Sequence, residues 1–244
     1  MFVQWIFLIS SVTLISSKGL PERIVGGDSV SIQSVPWQAS LQKFGLHACG
    51  AAIYSEDIVI TAAHCLRDTY IFFLSVRVGS SYNHFGGQVV KAAKFLAHEG
   101  HSKRMTNDIA LIRLQSKLTM DHRVSSIPLA DSPPQSGSTA SVSGWGALGF
   151  NGQFPNSLME VNVDIVDQDQ CLRSYGRVTT KDMICAAGPG KDACAGDSGG
   201  PLVSNGKLVG IVSFGTEYAH PKYPGVYANV AELKPWILSA IERL

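Results

Sequence analysis

The chain has 244 residues, of which 45% are hydrophobic and 16% charged, with 20 Lys and Arg against 19 Asp and Glu. That composition suits one large all-β domain or two small ones sharing an interface, and it excludes a disordered chain. A net charge of +1, with no block of like charges, leaves no footprint for a nucleic acid or another polyanion.

The first segment in chain order is apolar. Phe2 to Ile15 is interrupted only by Gln4, Ser10, Ser11 and Thr13, and the small residues Ser16, Ser17 and Gly19 follow. The run is short for a bilayer span and reads as a secretory signal peptide, although its n-region carries no Lys or Arg. Cleavage after Gly19 fits the small-x-small rule, and Ser16 and Ser17 stay open as cleavage points. No second such run appears, so no membrane association is expected and the product is expected outside the cell. Export to an oxidising compartment makes disulfides expected among the five cysteines. An odd number leaves at least one thiol free or bonded to another molecule.

Beyond residue 24 the pattern is β. Ile58–Thr61, Ala110–Leu114 and Leu208–Val212 are short strand candidates, and Met159–Ile165 alternates apolar and polar as a half-buried strand does. Turn clusters separate such segments: Gly86-Gly87, Asp131 to Gly137, Gly149 to Gly152, Gly188 to Gly190 and Ser204-Asn205-Gly206. Only the tail, about 231–244, has helical spacing, through Leu233, Trp236, Ile237, Ala240, Ile241 and Leu244. The stretch around 126–138 is the linker candidate between two similar halves.

Three separated segments carry chemistry: Thr61-Ala-Ala-His64-Cys65, Asn107-Asp108-Ile-Ala-Leu111 and Gly196-Asp197-Ser198-Gly-Gly-Pro201. A serine hydroxyl is a weak nucleophile near neutral pH and needs a base within hydrogen-bond reach. Imidazole titrates in the useful range and can return the proton to a leaving amine. Taken singly, His64 would be a packed histidine, Asp108 a turn residue and the glycine-rich segment a tight loop. In this order and with these flanks, the chain resembles the chymotrypsin family of serine proteases, and more closely a secreted trypsin zymogen. The resemblance runs from Ile24 to the C-terminus.

That resemblance implies an all-β fold of two six-stranded antiparallel β-barrels with a C-terminal α-helix. The barrels would span about 24–125 and 126–230. It implies a triad of His64, Asp108 and Ser198, and an oxyanion hole from the amides of Gly196 and Ser198. Arg23-Ile24-Val-Gly-Gly27 resembles the family's activation junction, with residues 20–23 as propeptide. The new Ile24 amine would pair with Asp197. Asp192 would floor the primary pocket, Gly215 and Gly225 would line its walls, and Ser213-Phe214-Gly215 would pair with the peptide backbone of the substrate. Ala193 replaces a frequent serine, which points to Arg over Lys at the scissile bond. Phe214 replaces the usual tryptophan.

By the same resemblance Cys49 pairs with Cys65 and Cys171 with Cys185, leaving Cys194 as the free thiol. No cofactor and no metal are expected: His98-Glu99-Gly100-His101 has the wrong spacing for zinc, and Gly79 to Ala97 contains no carboxylate for calcium. Expected partners are polypeptides with Arg or Lys at the cleavage point, an activating trypsin-like protease or the enzyme itself, and protein inhibitors, acting on a monomer. The segment from Ala147 to Leu158 has no Lys or Arg and should resist self-cleavage. Three alternatives carry weight: a catalytically silent homologue acting as a binding protein, an enzyme of chymotrypsin or elastase specificity, and a regulatory cascade protease. Asp192 speaks against the second and the absence of an added N-terminal module against the third.

Overall fold

The computed structural model describes residues 27–147, 154–176, 179–188, 196–216 and 222–244. Thirteen strands and two α-helices follow one another along these residues. The first barrel comprises β2 (Gln38–Lys43), β3 (Leu46–Ile53), β4 (Ile58–Thr61), β5 (Leu74–Val78), β6 (Gln88–Ala97) and β7 (Ala110–Leu114). Its order is β2-β3-β4-β7-β6-β5, and β5 returns to β2 through Ala39 opposite Val78. The second comprises β8 (Thr139–Gly144), β9 (Met159–Val166), β10 (Met183–Ala187), β11 (Pro201–Ser204), β12 (Lys207–Phe214) and β13 (Gly225–Asn229). It closes because β8 pairs with both β9 and β11. Both barrels are antiparallel throughout and six-stranded, as the family resemblance implies.

Local chemistry explains the closures. β9 alternates buried Met159, Val161, Val163 and Ile165 with more exposed neighbours, so one face lines the barrel. β11 turns into β12 at Asn205-Gly206, both with positive φ (50° and 70°), the geometry a two-residue hairpin demands. Phe44-Gly45 joins β2 to β3 in the same way, with φ of 54° and 79°.

The chain crosses between barrels in a few residues. Ile127 N donates to Ile53 O in the first barrel, and Ala130 N donates to Leu208 O in the second. Helix α2 (Val230–Arg243) buries Val230, Leu233, Ile237 and Ala240 in an apolar cluster that joins the first barrel to Val203, Leu208, Ile211 and Ala228 of the second. At the other end of the described chain, β1 (Asp28–Ser29) adds to β9 of the second barrel, across from the half it belongs to by sequence.

Helix α1 (Gln168–Tyr175) is a departure from the reading in which only the tail is helical. It has one buried residue, Cys171, and no apolar stripe to reveal it. Its start is fixed by Asp167, whose Oδ1 accepts from the amides of Asp169 (2.9 Å) and Gln170 (3.3 Å). Cys171 is bonded to Cys185 on β10. A cap and a crosslink therefore do what amphipathic burial does elsewhere. No helix among the described residues is long and apolar enough to cross a membrane.

Candidate active site

His64 lies on a single 3₁₀ turn, Ala63–Leu66, directly after β4. Cys65 of that turn is bonded to Cys49 on β3, which staples the turn to the barrel wall. Asp108 enters from the other direction, just before β7, and is 1% exposed. The His64 ring donates from Nδ1 to Asp108 Oδ2 at 2.7 Å, and the His64 backbone amide donates to Oδ1 at 2.9 Å. Ser213 Oγ, from β12 of the second barrel, donates to Oδ2 at 2.5 Å. Burial alone would raise the Asp108 pKa. The His64 ring, the Ser213 hydroxyl and the His64 amide outweigh it and hold the carboxyl below its ordinary range. An ionised Asp108 leaves His64 Nε2 as the free ring nitrogen, the one a general base needs.

Ser198 is positioned through its backbone. Its carbonyl accepts from Gly50 N of β3 at 2.8 Å, a bond between the two barrels. Gly199 and Gly200 flank it, bonded to Val212 O and Asp197 O, both at 2.8 Å. Gly199 has φ of 80°, and a Cβ there would strike Gly50 O and Thr61 Oγ1. Only glycine allows this approach. Cys65 Sγ lies 3.7 Å from His64 Nε2 and 3.6 Å from Ser198 O, so imidazole and serine flank the same sulfur. No hydrogen bond joins the Ser198 hydroxyl to His64 among the described residues. Such bonds are commonly long in free enzymes and tighten around substrate.

Gly196, with φ of 100°, and Asp197 form the rest of the loop. Asp197 is fully buried, and its Oδ1 accepts from Gly146 N at 2.7 Å. A Cβ on Gly144 or Gly146 would overlap the Asp197 carboxylate, so those glycines are the space it occupies.

His47 was not singled out by the sequence motifs, yet it holds this loop. Its Nε2 is 3.0 Å from Gly196 O and its Nδ1 is 2.8 Å from Ser40 Oγ. A carbonyl only accepts, so Nε2 carries the proton and Ser40 donates to Nδ1. Burial lowers the His47 pKa, and the bond to Gly196 O offsets it only in part, so the ring stays neutral. Tyr175 of α1 is another residue the motifs missed. Its ring packs edge-on against Phe214 with centroids 5.6 Å apart, and its hydroxyl donates to Pro224 O at 2.8 Å.

Ser213 and Phe214 end β12, Gly215 follows directly, and Gly225 opens β13 beside them, with Phe214 opposite Val226. Among the described residues nothing lies within 4 Å of where a Gly215 Cβ would be. Asp192, Ala193, Cys194, Arg23 and Ile24 lie outside the described residues, as do the leader, the propeptide and residues 148–153 of the segment expected to resist self-cleavage. Both expected disulfides are present, at sequence separations of 16 and 14. Cys49, His64 and Cys65 bring potential ligand atoms within 4.8 Å of one another. The two sulfurs are spent on each other and offer a metal no thiolate.

Known proteins agree with this arrangement. The Trypsin family model matches residues 24–237. Trypsin delta of Drosophila erecta is 48% identical over 250 residues, covering 97% of this chain and 98% of that protein. Trypsin alpha-4 of Lucilia cuprina is 46% identical over 250 residues, covering 98% of each. Among solved structures, neuropsin, a serine protease expressed in the limbic system of mouse brain, superposes with a TM-score of 0.83 at 34% identity. The superposition covers 88% of this chain and 98% of that one. Fold, motif order and near full-length identity converge, and the chain belongs to the trypsin family as a trypsin-like serine endopeptidase.

Proposed function

We infer that the protein is a secreted zymogen, cut after Arg23, whose mature form hydrolyses peptide bonds after Arg, and less readily after Lys, through an acyl-enzyme. Residues 1–19 are read as the leader, 20–23 as propeptide and 24–244 as the peptidase. The observation that carries the catalytic reading is the bonding at Asp108, where two His64 nitrogens and the Ser213 hydroxyl converge on one buried carboxylate. In this reading Ser198 attacks the scissile carbonyl while His64 Nε2 takes its proton. Asp108 stabilises the resulting imidazolium. The amides of Gly196 and Ser198 receive the oxyanion, each donor contributing about 3–4 kcal/mol. His64 then returns the proton to the leaving amine, and water repeats the sequence on the ester.

Strand register supports the activation step. Ser29 pairs with Met159, Met159 pairs with Gly144, and Gly144 packs on Asp197. Two strand spacings are about 10 Å, and the five residues from Ser29 back to position 24 reach up to about 17 Å, a length sufficient for the pairing read here. In this reading cleavage after Arg23 creates an α-amino group at Ile24 that pairs with the buried Asp197 carboxylate beside the nucleophile loop. Removing Lys18, Glu22 and Arg23 with the leader leaves the mature chain with no net charge.

Specificity is assigned to Asp192 at the pocket floor. A desolvated carboxylate there rewards a cationic side chain and rejects an apolar one. With Ala193 beside it, no hydroxyl helps a lysine ammonium, whereas a guanidinium reaches the floor with its own fork. The test is protein cleaved at Arg23, treated with a fluorophosphonate and profiled on a peptide library. Acylation at Ser198 and cleavage after basic residues are expected. Unlabelled, folded, correctly trimmed protein that leaves basic peptides intact would overturn this reading.

A further inference from the structure

His101 has none of the roles described so far, yet it lies against the carboxylate that orients His64. Its Nδ1 is 3.1 Å from Thr106 O and 3.7 Å from Asp108 Oδ1. Its Nε2 is 2.5 Å from Arg67 Nη2. The side chain is only 12% exposed. A guanidinium can only donate, so Nε2 must offer its lone pair and the ring proton must sit on Nδ1, where Thr106 O accepts it. The neutral ring therefore turns the positive end of an N–H dipole toward the Asp108 side.

The partners come from two loops that the site needs in register. Arg67 directly follows the turn that carries His64, and Thr106 and Asp108 lead into β7. With one nitrogen bonded to each loop, the ring fixes the spacing between the turn of His64 and the approach to Asp108.

We propose that His101 is a positioning residue for the Asp108–His64 pair, its two ring nitrogens holding Arg67 and Thr106, and with them the two loops, in register. This role rests on the triad reading above. The charged and titratable groups around His101 are Arg67, Asp108 and, beyond it, His64, with Glu99, Lys103 and Arg104 on its own loop. His98 is coupled electrostatically to it and also to Glu99, Asp182 and Arg243.

The test compares kcat and KM of the mature enzyme with those of His101→Gln, His101→Phe and Arg67→Ala on one Arg ester. Glutamine offers an oxygen toward Arg67 and an N–H toward Thr106 O, whereas phenylalanine fills the space and bonds to neither. His101→Phe should lower kcat about tenfold with KM little changed, and His101→Gln should stay within about threefold of the parent. An unchanged kcat in His101→Phe, an equal loss in His101→Gln, or a loss that falls on KM overturns the proposal. Should His101→Phe fail to fold, Arg67→Ala decides: kcat should fall with KM unchanged, and an unaltered kcat counts against the role. A parent enzyme that turns over the ester while His101→Phe keeps its full kcat separates failure of this role from failure of the triad reading, in which the parent itself is inactive.

Discussion

The backbone amide of Asn107 donates to Asp182 Oδ2 at 2.5 Å, tying the residue before Asp108 in the first barrel to the segment before β10 in the second. Asn107 holds a positive φ of 49°, and its own side chain donates to Gly100 O at 3.2 Å. Asp182 in turn accepts at its carbonyl from Asn229 N at 2.8 Å, so the clamp is anchored on both sides. Truncating it should loosen Asp108 without touching the substrate cleft. Asp182→Ala is expected to lower kcat about 10- to 100-fold with little change in KM, the scale of a lost hydrogen bond to a charged group. Asp182→Asn keeps an acceptor and should recover part of the loss. Steady-state kinetics on a single ester substrate check both.

His47 supplies a pH prediction. Its folded-state pKa lies below the ordinary value, because burial disfavours the charged ring. A group depressed in this way favours the folded state above its unfolded pKa of about 6.5 and withdraws that support as pH falls. Thermal midpoints should therefore drop between about pH 7 and 5, and His47→Gln, which keeps an N–H for Gly196 O, should flatten that part of the curve. Equal slopes for the two proteins would count against it. A separate loss of kcat is expected for His47→Phe, which cannot hold the Gly196 carbonyl.

Substitution of Asp192 by serine is expected to cost about 3–5 kcal/mol in kcat/KM on Arg substrates, since it strands a buried guanidinium. Matched Arg and Lys peptides should show faster cleavage after Arg, in keeping with Ala193. An unchanged rate with Asp192→Ser, or a Lys preference in the parent enzyme, would contradict the pocket assignment.

Four of the five cysteines are paired in two disulfides, which leaves Cys194 as the odd thiol. Thiol titration of the mature protein should find one group after unfolding, and two or more would break the pairing. Replacing Cys49 and Cys65 together by serine should destabilise the fold by about 3 kcal/mol, the loop-closure value for a ring of that size. Chemical denaturation measures it.

The β class was legible because its signals are local, the segments of His64, Asp108 and Ser198 stood out for the same reason, and the two-barrel architecture followed from the resemblance those segments carry. Ser198 sits among glycines that a tight, closely packed loop requires, and the strand pattern of Met159–Val166 matches its burial residue by residue. The supporting residues were not legible. His47 and Gly196 are 149 positions apart, and Asn107 and Asp182 are 75 apart, and nothing near His47 or Asp182 in sequence marks them as partners. Helix α1 was hidden for a related reason: its order comes from the Asp167 cap and the Cys171 crosslink, neither of which writes a period into the sequence. Tyr175 acquires its neighbours only once that helix exists.

The shared apolar cluster bears on how the molecule is made. Residues of the half synthesised first pack in it with Leu208 and Ile211 of the second half and with Leu233 and Ile237 of α2. Those partners are made later, so part of the first half's apolar surface has no cover until they follow.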